Sequence, residues 1–292
     1  MKYFKQAILF TIIFFVQLNG FPQEFYKHEA CNICIDGIHN NKNPYRLGFK
    51  SEWPFLLAGA GVVGLGQWLQ SSNNIVPFTE AELNALNRQD VNAFDRPATY
   101  YWNTQAQHTS DALLAGVLVL PAFFLANHHT RSDFGSLLVM SLEVSAISYG
   151  LNNAVKNLTN RTRPFVYNEN VSFSERTNST SRQSFYSGHT SFTASMSFFM
   201  AKVVHDYHPN MKPGLKVAMW TFSAAIPATT GYLRVKSGRH FPTDVITGYA
   251  IGAVTGVLIP EWHKKKEHDQ HLSIAPSYQY GSTGLYLNYR FK

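Results

Sequence analysis

The residues of this chain best suited to chemistry lie at 234–244, RVKSGRHFPTD, where an arginine, a histidine and an aspartate stand at fixed offsets: Arg234, five residues, His240, three residues, Asp244. Pro242 favours a helix beginning near Thr243, because proline in a first helical turn gives up an N–H that would have no partner there anyway. His240 then stands just before the helix and Asp244 in its first turn. From that position the carboxylate can accept a hydrogen bond from one imidazole nitrogen and leave the other free for nucleophilic attack. Taken alone, the same residues also describe a loop whose charges are solvated, so the motif needs partners.

Two stretches upstream supply them. Lys156 and Arg163 are seven residues apart, two helical turns, and share a face if the helix persists that far; Pro164 then permits it to end. Arg161 adds a charge whose direction the sequence leaves open. The bland reading is a basic helix end facing lipid headgroups or water. Next, Tyr186, Ser187, Gly188 and His189 directly precede an apolar segment starting at Thr190. A helix start offers free N–H groups and the positive end of a dipole, which favours an anion. Gly188 allows close backbone approach, Ser187 adds a hydroxyl donor, and His189 is placed to move a proton. A solitary histidine there would be structural; this one has company.

The elements that must position these residues are helical. Five apolar segments, at 112–127, 134–153, 190–204, 217–233 and 245–260, are rich in Ala, Leu, Met and Gly and show no strand alternation. Each is at or below the roughly 20 residues of a spanning helix, and Glu143 interrupts the second. The expected fold is all-α, a bundle of five to six apolar helices embedded in a membrane, with a small β-hairpin predicted around the GSTG turn near the carboxyl terminus. If all five segments cross, the three chemical stretches share one side. The opposite side receives Arg131, Lys212, Lys216 and residues 264–266, which by the positive-inside rule puts the chemistry outside the cytoplasm. That topology, with residues 1–20 as a sixth span, requires the uncharged, glycine-rich stretch 53–69 not to cross. Counting both as crossings would move the site to the cytoplasm.

The expected organisation is a signal peptide or anchor at 1–20, with Lys2 and Lys5 ahead of an apolar run. An amino-terminal segment with one apolar helix follows at 21–111, then a helical core at 112–262 and a basic linker with hairpin at 263–292. Cys31 and Cys34 form a C-x-x-C flanked by His28 and His39, read as a local disulfide in an exported chain or, with the histidines, a zinc site. Asp90, Asp95 and Arg96 read as a capping or ion-pair cluster without chemistry.

Composition narrows the partners. Hydrophobic residues make up 45% of the 292 residues, which excludes a disordered chain, and only 15% are charged, against about 25% in soluble domains. Mean hydropathy is −0.16, low for a protein mostly sunk in lipid. The formal charge of +7 comes without a basic run interleaved with aromatics, so nucleic acid is not an expected partner; anionic substrates and anionic lipid surfaces fit better.

Together the three stretches resemble the type 2 phosphatidic acid phosphatase superfamily, which includes bacterial nonspecific acid phosphatases and vanadium haloperoxidases. The family pattern K-x6-RP, PSGH and SR-x5-H-x3-D is matched at every charged or titrating position. Tyr186 replaces its proline and Leu233 its serine. The resemblance covers roughly residues 112–260. It implies that His240 is the nucleophile that takes the phosphoryl group and that Asp244 orients it. His189 would protonate the leaving oxygen and then activate water. Lys156, Arg163 and Arg234, with Ser187 and the Gly188 N–H, would neutralise the phosphoryl oxygens, since phosphoryl transfer depends mainly on positioning and charge. It implies no metal or other cofactor, with vanadate binding as a phosphate mimic. The polar insert between the first two stretches is expected to be a lid or binding loop.

The leading expectation is a cell-envelope phosphatase acting on a lipid phosphate or diphosphate, with membrane lipids around it. A soluble exported acid phosphatase, a vanadate-dependent haloperoxidase and a noncatalytic lipid-binding protein are the alternatives. The last would need only the cations, not His189, His240 and Asp244.

Overall fold

The computed structural model describes residues 43–73, 75–265, 272–279 and 282–289. Residues 1–20 and the Cys31/Cys34 pair with His28 and His39 lie outside the described residues.

Six long helices build the body: α1 (Phe49–Ser72), α2 (Thr104–Leu118), α3 (Phe134–Thr159), α4 (Gly188–Tyr207), α5 (Pro213–Lys236) and α6 (Pro242–His263). A 3-10 turn, Leu120–Leu125, extends α2. The expected all-helical fold is met. Downstream, strands β1 (Leu272–Gln279) and β2 (Ser282–Tyr289) pair antiparallel, Leu272 opposite Tyr289 and Gln279 opposite Ser282. Everything that positions the site is helical.

Among the described residues three stretches are long and apolar enough to cross a membrane, Thr104–Leu125, Phe134–Tyr167 and Pro242–His263. Helices α4 and α5 fall short of that measure. The reason is plain for α4: it is the central helix, with Thr190, Ser191, Thr193, Ser195 and Ser197 all buried. A helix surrounded by other helices needs close packing more than an apolar face toward lipid. Gly252 of α6 shows how close: a Cβ there would fall 2.1 Å from the Ser191 carbonyl oxygen. Outward-facing residues of the three apolar stretches, among them Leu118, Phe123, Leu158, Val254 and Trp262, are exposed.

The helical body also starts earlier than the expected boundary at residue 112. Asn103 caps α2 by accepting from the Ala106 N–H at 2.9 Å. Helix α1 lies along α3 in the same direction, Gly59 near Ala146, Gly66 near Asn153, and the Asn73 side chain donating to the Asn157 carbonyl at 2.5 Å. It therefore runs along α3 rather than across one end of the bundle. The core beneath is formed by Leu137, Met140, Val144, Met196, Phe199, Val203 and Ile259 from α3, α4 and α6.

Chain direction alternates from α2 to α6, so one end of the body collects the start of α2, the end of α3, the start of α4, the end of α5 and the start of α6. The sequence motifs meet at that end. At the other, Tyr207 donates to Asp133 at 2.8 Å, and the Arg46 N–H donates to the His263 carbonyl at 2.8 Å.

Candidate active site

Helix α6 begins at Pro242, with Phe241 as its cap, so His240 precedes it and Asp244 lies in its first turn as expected. The orientation of the imidazole is a correction. His240 Nδ1 donates to the Ser184 carbonyl oxygen at 2.8 Å, whereas the nearest Asp244 oxygen is 3.6 Å away, too far for a hydrogen bond. Asp244 instead accepts from the Ser184 hydroxyl at 2.6 Å, the Phe241 N–H at 2.8 Å and Arg161 at 2.5 Å. It holds the groups that hold His240. Nδ1 carries the proton in this arrangement, and Nε2 keeps its lone pair.

Lys156 and Arg163 do not share a helical face. Helix α3 ends at Thr159, and its cap Asn160 is left-handed with φ 44°, a conformation asparagine tolerates better than most residues. The chain turns there, and the Arg163 N–H is pinned to the Ser181 carbonyl at 2.8 Å. Both cations nevertheless arrive beside His240. Burial first, then the positive charges of Arg163, Arg234 and Lys156, hold the His240 imidazole well below its ordinary pKa of 6.5. The buried histidine is therefore neutral near pH 7.

Neither Lys156 nor Arg163 makes a side-chain hydrogen bond or ion pair among the described residues, and Nε of both Arg163 and Arg234 is buried without an acceptor. Guanidinium donors left open in a buried place call for an anion. Near them the start of α4 presents the N–H groups of Gly188 and His189, which have no backbone acceptor in the described residues. The Ser187 hydroxyl also serves the fold. It is buried, shares a hydrogen bond with Thr190 Oγ1 at 2.9 Å, and caps α4. Gly188 is needed for packing, since a Cβ would fall 2.7 Å from Asn152 Oδ1.

His189 has a partner that sequence reasoning missed. Its Nε2 lies 2.8 Å from Asp111 Oδ1, and the same oxygen accepts from Arg234 Nη1 at 3.2 Å. Asp111 on α2 thus joins the second histidine to the third cation, and the pairing leaves His189 Nδ1 to move a proton. Burial, then repulsion from Arg234, lowers the His189 pKa to about 3 against the pull of Asp111. An arriving phosphoryl dianion would offset the cations and restore part of that basicity.

The insert between the first two motifs is folded down over this end rather than loose. It holds Pro164–Tyr167, Phe173–Arg176 and Ser179–Arg182 as short helical turns, and Glu175 pairs with Arg239 at 2.7 Å. Arg239 also donates to Gln107 of α2 at 2.7 Å and stacks over Trp102 and Phe165. Of the Asp90, Asp95, Arg96 cluster, Asp95 does enter an ion pair, with Arg161 at 2.7 Å; Arg96 serves the Val91 carbonyl at 3.0 Å. Among the described residues no group of histidine, cysteine and carboxylate side chains could hold a metal ion.

The PAP2 superfamily model matches residues 137–268, the stretch that carries all three motifs. Over those residues the chain is similar to the PAP2 superfamily. A phospholipid phosphatase 2 from Bos taurus is 26% identical over 186 residues, 50% of this chain and 63% of the relative, so the chain spans under two thirds of that protein's length. A crystal structure of a transmembrane PAP2 type phosphatidylglycerolphosphate phosphatase from Bacillus subtilis is 20% identical, covering 70% of this chain and 96% of its own, with a TM-score of 0.44. Asp111 and Asp95 both precede the matched stretch, which is why no motif signals them.

Proposed function

We propose that this chain is a PAP2-type phosphatase that hydrolyses a lipid phosphate or diphosphate monoester through a phosphohistidine on His240. The observation that carries the reading is the pair of cations, Lys156 and Arg163, with no carboxylate partner beside a histidine whose Nδ1 is already committed to Ser184. In the first step His240 Nε2 attacks phosphorus, the bond to the leaving oxygen breaks, and His189 supplies that oxygen with a proton. In the second step His189, now the base, takes a proton from water as its oxygen attacks phosphorus and the P–N bond breaks. Lys156, Arg163, Arg234 and the first N–H groups of α4 take up charge on the equatorial oxygens throughout. Binding alone would use the cations and leave a neutral buried His240 without purpose. No step calls for a metal or other cofactor, and vanadate should occupy the site as a phosphate mimic.

The three apolar stretches and their exposed side chains support a lipid substrate and a membrane setting. The name of the bovine relative supports a phospholipid. Arg46, Arg131, Lys212, Lys216 and Lys264 gather at the end away from the site, which under the positive-inside rule supports an extracytoplasmic site in a cell envelope.

Detergent-purified protein should release phosphate from one or more of phosphatidic acid, phosphatidylglycerol phosphate, a polyprenyl diphosphate and lipid A. His240→Ala should abolish that release while the protein still accumulates. Undiminished turnover in His240→Ala sinks the reading. Release by carbonate wash without detergent would move the protein to the soluble acid phosphatases, and halide oxidation only with added vanadate would move it to the haloperoxidases.

A further inference from the structure

Arg161 stands two residues before Arg163, but its side chain points elsewhere. Its Nη1 donates to Asp244 Oδ1 at 2.5 Å and to Thr243 Oγ1 at 2.9 Å, and its Nη2 donates to Asp95 Oδ2 at 2.7 Å. The guanidinium also lies over the Phe241 ring at 4.3 Å. Asp95 in turn accepts from the Thr243 N–H at 3.0 Å, the Thr243 hydroxyl at 2.6 Å and Asn92 at 2.8 Å. Both carboxylates are fully buried, and a single guanidinium joins them.

The unit ends on the nucleophile. Ser184 is fixed at three points: its N–H donates to the Arg161 carbonyl at 2.9 Å, its hydroxyl donates to Asp244 at 2.6 Å, and its carbonyl receives His240 Nδ1 at 2.8 Å. Arg161 thus reaches the His240 imidazole by two routes, through its own carbonyl and through Asp244. Asp95 and Thr243 lock the guanidinium and the first turn of α6 into one piece.

We propose that Arg161 and Asp95 are positioning residues for the phosphoryl-accepting histidine, acting through Asp244 and Ser184 and not on the phosphate. The assignment rests on the phosphohistidine reading. Physically, it says that the angle of Nε2 attack is set by a brace anchored outside the motif region. Attack geometry is costly to lose, since a misplacement of about 1 Å can slow a reaction about 100-fold. The brace leaves the phosphate-binding cations untouched, so its loss should slow turnover without loosening the site.

The test compares Arg161→Gln, Asp95→Asn and the double variant, with Arg161→Lys as a milder change and kcat normalised to vanadate-binding sites so that misfolded protein does not count. Arg161→Gln should lower kcat by about 10- to 100-fold, with KM and the vanadate inhibition constant within about twofold of the parent. Asp95→Asn should lose about 10-fold, and the double variant should be no slower than Arg161→Gln alone, because members of one network are not additive. Arg161→Lys should fall between Arg161→Gln and the parent. A parallel rise in KM and the vanadate constant would make Arg161 a phosphate ligand and overturn the proposal. So would losses that multiply in the double variant, or an unchanged kcat. An inactive parent, or a fully active His240→Ala protein, would instead overturn the phosphohistidine reading itself.

Discussion

At the end of the bundle away from the site, Asp206 is paired with Lys202, accepts from Lys264 at 2.8 Å and from Tyr45 at 2.9 Å, while Lys202 also reaches Glu261 at 2.7 Å. At the site end, Lys156 and Arg163 form no ion pair or side-chain hydrogen bond among the described residues, Asp244 and Glu175 act on them only at a distance, and Asp111 is divided between Arg234 and His189. Both groups sit among the same helices, each with buried side chains, among them those of Asp206 and Arg163. The first has every charge answered within the chain. The second has cations in surplus, an arrangement that folding alone would not favour. Charge left open at one end and closed at the other separates the part of the molecule built for a ligand from the part built for the fold.

The sharpest way to break that contrast is to remove a charge at each end. Arg163→Ala should cost about 1,000-fold in kcat/KM, the scale of losing a transition-state donor, yet leave thermal stability equal to the parent or higher, because an unpaired buried cation disappears. Asp206→Ala should do the reverse. Taking one partner from a buried network leaves Lys202 only the half-exposed Glu261 and should cost about 3 kcal/mol of stability, while kcat/KM per folded molecule stays within about twofold. Activity assays paired with thermal melts on both variants decide it. A stability loss in Arg163→Ala as large as that in Asp206→Ala would erase the distinction.

Asp111 supplies the next test. If its charge serves the leaving-group proton through His189, Asp111→Asn should slow an alkyl phosphate by about 100-fold, the low end of acid–base contributions. A p-nitrophenyl ester, whose leaving group departs without a proton, should slow by no more than about fivefold. Equal losses on both esters would mean that Asp111 acts through Arg234 and phosphate binding instead.

What could be read in advance follows from distance along the chain. Lys156 with Arg163, His189 with its helix start, and Arg234 with His240 are recognisable because each set lies within one short stretch. Helical order could be read for the same reason, from segments whose apolar residues lie close together. Asp111 meets His189 across 78 residues and Asp95 meets Thr243 across 148, so no local spacing marks either. Ser184 was hidden differently: it acts through its carbonyl, which every residue has. The expectation that Asp244 itself binds the imidazole failed for this reason. The shared face expected for Lys156 and Arg163 failed at Asn160, where a left-handed residue ends α3.

The smallest predicted effect is on pH dependence, and its sign follows from the same surplus of cations. His240 is depressed below 6.5 by burial first and by Arg163, Arg234 and Lys156 next, so the acid limb of kcat/KM in the parent should lie below pH 6.5. The same depressed histidine weakens folding as pH falls below about 6.5, since the unfolded chain then binds the extra proton. Removing a cation makes protonated His240 less unfavourable. The residual activity of Arg163→Ala should therefore show its acid limb moved upward toward, but not past, pH 6.5, because burial, the larger cause, remains. A pH profile of the variant against the parent measures the shift. A limb that stays put would mean that the cations do not bear on His240 through charge, and the open charges of the site end would then lose their connection to the nucleophile.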